Sequence, residues 1–152
     1  MHKQDVNDAW QFLCQSEPRP DDQVRHNLKR YLLAIEWLPD GPARVLELGS
    51  NRYFTLLLAH HSPAYQISCA GLKETRGDSV DSGRIDLLAA ADKGRFSWAS
   101  LDVEREAFPY PSASFDLVLN MELIEHVLAH PMQMILEIHR DQLILRNGLI
   151  GD

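Results

Sequence analysis

Cysteine is scarce in this chain: Cys14 and Cys69 are the only two among 152 residues. They lie in unlike contexts, so neither a disulfide framework nor a thiolate metal site is supported. No apolar run is long enough to span a bilayer. The first residues, MHKQDVNDAW, lack the apolar core of a secretion signal. Positive charge is in deficit, with 15 Lys and Arg against 22 Asp and Glu for a net charge of −7. A general nucleic-acid or anionic-membrane surface needs a basic patch, and this balance argues against both. Repeats and low-complexity tracts are missing too. What is left is a globular domain, expected in a reducing cytoplasmic setting, with 45% apolar residues to build a core.

The positive signal centres on Ala43 to Ala59, ARVLELGSNRYFTLLLA. Val45-Leu46-Glu47-Leu48 is too short for a helix and suits a buried strand. Gly49-Ser50-Asn51 signals a turn. Phe54, Leu57 and Leu58 then recur at helical spacing. Strand, glycine turn and helix bring backbone N–H groups to the carboxyl end of a strand, where a ligand can lie against them.

Two helices are expected before this unit. Residues 5 to 16 place Val6, Ala9, Trp10 and Leu13 on one stripe. A second helix starts at Asp21 or Asp22, acids suited to a cap and first turn. It carries Val24, Leu28, Tyr31, Leu32 and Ile35 on one face and stops at Pro39-Asp40-Gly41-Pro42. After the unit, His60 and His61 suit the carboxyl end of a helix better than a metal pair. Tyr65 to Ala70 reads as a second strand, Lys73 to Gly83 as a loop, and Arg84 to Lys93 as a short helix. Phe96 to Leu101 reads as a third strand running into Asp102-Val103. Phe108-Pro109-Tyr110-Pro111 is a rigid approach to a fourth strand ending at Asn120, and Glu122 and Glu125 are placed to open a helix. A further helix begins at His130-Pro131, with Met134, Ile135, Ile138 and Leu143 facing inward, and Leu149-Ile150 looks like the start of a fifth strand.

The Ala43–Ala59 stretch resembles the first motif of the class I, Rossmann-like S-adenosylmethionine-dependent methyltransferases. Glu47 matches the acid near the end of the first strand, and Gly49 matches a glycine of the turn. Asn51 and Tyr53 stand where that family usually carries further glycines. The second strand ends in Ala70-Gly71-Leu72 instead of the family's ribose-binding acid, and the nearest acid is Glu74. Phe115-Asp116-Leu117-Val118 followed by Glu125-His126 is closely similar to a second family segment, so the resemblance runs from Ala43 to about Arg140.

The resemblance implies an α/β fold: a Rossmann-like three-layer sandwich with a mainly parallel sheet of about five strands. Two helices precede it, with residues 1–42 as a helical cap and 43–152 as a methyltransferase domain that looks truncated at its carboxyl end. It implies S-adenosylmethionine as cofactor. Glu47, Gly49, Ser50 and Asn51 would meet its methionine end, Asp102 and Val103 its adenine, and Asn120 with Met121 its amino group. No metal is expected and no catalytic residue is assigned, because a sulfonium carries its own reactivity. The expected partners are an unidentified methyl acceptor and a second copy or partner chain covering the sheet edge. The rival from another class is a non-catalytic interaction or regulatory domain that keeps the fold and has lost the chemistry.

Overall fold

The computed structural model describes residues 3–15, 19–50, 52–71, 96–121 and 123–141. Expectations for Asn51, Glu74, the 84–93 helix, Glu122, Leu143 and the fifth strand at 149–150 fall outside them. The described residues form α1 (Lys3–Leu13), α2 (Asp22–Glu36), β1 (Arg44–Leu48), α3 (Arg52–His61), β2 (Gln66–Gly71), β3 (Phe96–Ser100), β4 (Leu117–Asn120), a 3-10 turn (Ile124–His126) and α4 (Pro131–Asp141). They fall into two compact units, one drawn from Met1–Gly41 with Asn51–Ala64 and the other from Pro42–Ser50 with Tyr65–Asp152.

The first unit is helical. Asp21 sits in extended conformation as the N-cap of α2, and its carboxylate accepts the Val24 N–H at 3.0 Å. That satisfies one of the donors a helix start leaves open. The expected stripe on α2 is buried at Val24, Leu28, Tyr31 and Leu32. Tyr31 meets Phe54 of α3 with ring centroids 5.5 Å apart, and Phe12 of α1 stacks on His60 at 4.2 Å. The Tyr53 hydroxyl donates to the Arg19 carbonyl at 3.2 Å.

The second unit is built on a four-stranded sheet, all parallel, in the order β3-β2-β1-β4. The chain winds outward from β1 to β2 and β3, then returns to lay β4 on the other side of β1. The reversal puts a switch point between β1 and β4. Register aligns Leu48 with both Ala70 and Asn120, and Gly71 with Ser100. At the amino ends, Arg44 clamps β1 to β4. Its N–H and Nε donate to Asp116 Oδ2 at 2.8 and 3.1 Å, a terminal guanidinium nitrogen donates to Oδ1 at 3.0 Å, and Asp116 N–H returns a bond to the Arg44 carbonyl. These charge-assisted bonds hold the Asp116 carboxyl below its ordinary range and push the Arg44 guanidinium up.

Leu46, Leu48 and Ala70 join Leu101, Val103, Phe108, Phe115, Val127 and Met134 in one buried cluster. The proline loop is tied to α4 at both ends. Phe108 N–H donates to Glu137 Oε2 at 2.9 Å, and Arg140 donates to the Phe108 carbonyl at 2.8 Å. Ala113 and Phe115 N–H groups donate to the Arg140 and Asp141 carbonyls, both at 3.0 Å.

Two expectations are corrected here. Ile135 is 41% exposed, because the inward stripe of α4 runs through Met134 and Ile138 at helical spacing and Ile135 lies about 100° round the axis from Met134. The segment after β4 is one 3-10 turn and not an α-helix. Val127 leaves it in extended conformation (φ −86°, ψ 94°) as its side chain enters the core.

Candidate functional site

The residues singled out from sequence that are described gather along one edge of the sheet, at the carboxyl ends of its strands. Gly49 follows β1 directly. Its φ is +65°, and its N–H donates to the Ala70 carbonyl at 2.8 Å, carrying the ladder one residue past the strand before the chain turns away. A side chain here is blocked twice. The backbone is left-handed, and an added Cβ would lie 3.0 Å from Leu123 Cβ and 3.1 and 3.2 Å from its two methyl carbons. Ser50 is buried beside it, and Glu47 is completely buried one row back, level with Cys69 and Leu119.

Gly71 ends β2 at the same edge. A Cβ on it would stand 3.9 Å from the Gly49 Cα and 3.4 Å from the tip of the Trp98 indole. Its carbonyl accepts the Leu101 N–H at 2.9 Å, which leads β3 into Asp102. Asp102 organises a tight turn. Its Oδ1 accepts Glu104 N–H at 3.0 Å, its carbonyl accepts from Arg105 and Glu106, and its own N–H donates to Glu106 Oε2 at 2.7 Å. The Arg105 guanidinium stands 3.8 Å from Oδ2. Val103 sends its side chain into the core, and its N–H takes no part in this turn's bonds. On the other side of β1, Asn120 closes β4. Its Oδ1 is buried and, among the described residues, has no hydrogen-bond partner. Met121 follows in a half-buried bend.

The edge therefore combines a glycine turn, a second glycine, an aspartate turn and, among the described residues, a Val103 N–H and an Asn120 amide oxygen without hydrogen-bond partners. Among the described residues no group of three or more His, Cys, Asp or Glu could hold a metal ion. No helix there is long and apolar enough to cross a membrane. The edge suits binding a polar ligand across strand tips more than acid–base work on one.

Two members of this edge were not assigned from sequence. Gly71 was visible as the glycine closing an apolar strand, a signal for close backbone approach. Leu123 had no sequence signal, because its contact with Gly49 spans 74 positions and depends on β4 lying next to β1.

The model of the methyltransferase domain family matches residues 49–148. No curated protein matches the chain. Solved structures with the same fold include the [4+2]-cyclase SpnF, at 23% identity and a TM-score of 0.62, covering 78% of this chain and 42% of that one. An S-adenosylmethionine-dependent methyltransferase from Mesorhizobium loti is similar at 20% identity and a TM-score of 0.54, covering 76% and 48%. Another from Aquifex aeolicus is similar at 12% identity and a TM-score of 0.59, covering 90% and 66%. The chain spans less than half the length of the first two of these proteins.

Proposed function

The chain belongs to the methyltransferase domain family, and from that premise we propose that its strand tips bind S-adenosylmethionine for methyl transfer to an acceptor. Membership implies that cofactor, and the residues present fit it. Gly49, with φ +65°, turns the chain at the switch point. Asn120 Oδ1 is a buried acceptor without a donor among the described residues. The observation that carries the proposal is this convergence at the switch point, where open parallel sheets take their ligands.

In this reading Glu47, Gly49, Ser50 and Asn51 serve the methionine end, Asp102 and Val103 the adenine, and Asn120 with Met121 the amino group. Asp102 can cap its turn through Oδ1 and still accept a bond from an adenine amino group on a remaining lone pair. The Val103 N–H, which makes no hydrogen bond among the described residues, would serve the ring. When bound, the sulfonium supplies a methyl group with its own leaving group. The protein's part is to align the acceptor and exclude water.

The non-catalytic reading remains the rival, and SpnF, whose name records a cyclase, illustrates that one fold hosts different chemistries. Thermal melting with and without S-adenosylhomocysteine tests cofactor binding. Ligand at a hundred times its dissociation constant stabilises by about 2.7 kcal/mol. A rise in melting temperature supports the proposal, and no shift at millimolar ligand refutes it. Transfer of radiolabelled methyl to an acceptor then separates enzyme from binding module.

A further inference from the structure

One segment joins two of the turns at the strand tips. Leu123, shortly after β4, lies against Gly49, where an added Cβ would meet its Cβ at 3.0 Å and its methyl carbons at 3.1 and 3.2 Å. Val127 is buried in the core cluster. The Ala129 N–H then donates to Glu104 Oε1 at 2.9 Å. Glu104 belongs to the turn that Asp102 organises, and its own N–H donates to Asp102 Oδ1 at 3.0 Å. The Leu123–His130 segment is thus held at the tip of β1 by one end and at the turn after β3 by the other. Around these fixed points the side chains face outward, with Ile124 49% and Leu128 85% exposed. The 3-10 turn within it has no side-chain capping bond. A cleft of about 760 Å³ lies between the two pieces, lined by Glu104 and Arg105 on one side and by His130, Met132 and Leu136 on the other. Across an open cleft a hydrogen bond sets the distance between the walls more than packing does.

We propose that Glu104 is a positioning residue that fastens the Leu123–His130 segment to the Asp102 turn, and so couples ligand binding at that turn to the seating of Leu123 on Gly49. The inference rests on the cofactor reading above and adds to it a device that sets the site, not a further ligand contact. The connection is short. The Asp102 side chain is 25% exposed, so a ligand donor can reach it. A donor on that carboxylate fixes its rotamer. The rotamer fixes the Glu104 N–H that it accepts, and the Glu104 backbone aims the carboxylate that holds Ala129. A chain without the last bond must order the segment when the ligand arrives, and its affinity falls by that cost. Linkage makes the effect reciprocal: if the ligand tightens the Ala129 bond, losing the bond weakens the ligand by the same factor.

The test pairs calorimetry with amide hydrogen exchange read by NMR. In the wild-type chain, saturating S-adenosylhomocysteine is expected to slow exchange of the Ala129 amide by about three- to tenfold, the range for an exposed hydrogen bond to a charged group. Glu104→Ala removes the acceptor. It should abolish that slowing and weaken S-adenosylhomocysteine by the same factor. 5′-Methylthioadenosine, which keeps the nucleoside and lacks the amino-acid end, should lose as much, because the coupling runs through Asp102. Glu104→Gln keeps an oxygen at the same reach and should restore both ligands to within about twofold of wild type. If Glu104→Ala does not fold, the wild-type exchange measurement decides, since it needs no variant. An Ala129 amide indifferent to ligand, a Glu104→Ala chain that binds as wild type, a loss confined to S-adenosylhomocysteine, or a glutamine variant no better than alanine overturns the inference while leaving cofactor binding standing. A wild-type chain that binds neither ligand overturns the inference and the proposed function together.

Discussion

Gly49→Ala is the substitution whose effect the structure specifies most fully. Two terms oppose it. An alanine held at φ +65° pays the left-handed penalty of about 1–2 kcal/mol. Its Cβ would also sit 3.0 Å from Leu123 Cβ, a contact that must open by several tenths of an ångström. Leu123 packs against the buried cluster, so its Cβ cannot simply swing away, and overpacking of this kind costs about 1–3 kcal/mol. The sum is about 2–5 kcal/mol, or a fall of roughly 5–15 °C in melting temperature for a chain of this length. Gly41 is the internal control. Its φ is +96°, and nothing lies within 4 Å of an added Cβ. Gly41→Ala should therefore show the backbone term alone, about 1–2 kcal/mol. Urea denaturation followed by circular dichroism measures both. The double variant Gly49→Ala with Leu123→Gly, which removes the Cβ and both methyl carbons, should be less destabilised than the sum of the singles, by roughly 1–2 kcal/mol, because the contact is then gone. Equal urea midpoints for the two glycine variants, or strict additivity in the double variant, would refute the claim that Leu123 is seated on the Gly49 turn.

Other outcomes follow from single contacts. Asp102→Ala should weaken S-adenosylhomocysteine and 5′-methylthioadenosine alike, by about tenfold, and remove about 1 kcal/mol of stability through the lost Glu104 bond. Unchanged dissociation constants in a folded variant would exclude Asp102 from adenine recognition. Asp116 and Asp141 should respond to pH with opposite signs. The Asp116 carboxyl is held below its ordinary value by Arg44, so its contribution is present above about pH 4 and lost as pH falls through the lowered value. Asp116→Asn should therefore be destabilising at neutral pH and progressively less so in acid. Asp141 is completely buried beside Arg140 at 2.8 Å, and burial outweighs that cation, pushing its carboxyl up. Its penalty grows as pH rises past the ordinary carboxylate value, so Asp141→Asn should raise the neutral-pH melting temperature. The same sign of change for both variants at pH 7 would contradict these assignments.

Much of the scaffold was legible because its signals are local. The α2 cap at Asp21, its buried stripe, the glycine turn and the short apolar strands each rest on residues within a few positions of one another. Strand limits differed by one residue, with Gly71 inside β2 and Leu101 outside β3. The inward face of α4 was harder, since Met134 and Ile135 are both apolar and only the neighbouring loop selects between them. The role of Asp102 was open between turn cap and ligand contact. The structure places its Oδ1 on Glu104 N–H, and the ligand role stays a matter for binding measurements.

Periodicity and turn chemistry by themselves determined that this chain alternates strands with helices and turns sharply at Gly49, because such preferences act along a few neighbouring residues. The order β3-β2-β1-β4 was decided only in three dimensions, where β4 returns to the far side of β1. That order sets Asn120 beside Leu48 and presses Leu123 onto Gly49. Residues more than seventy positions apart come together because parallel strands align their carboxyl ends, a constraint that acts between strands and not along them.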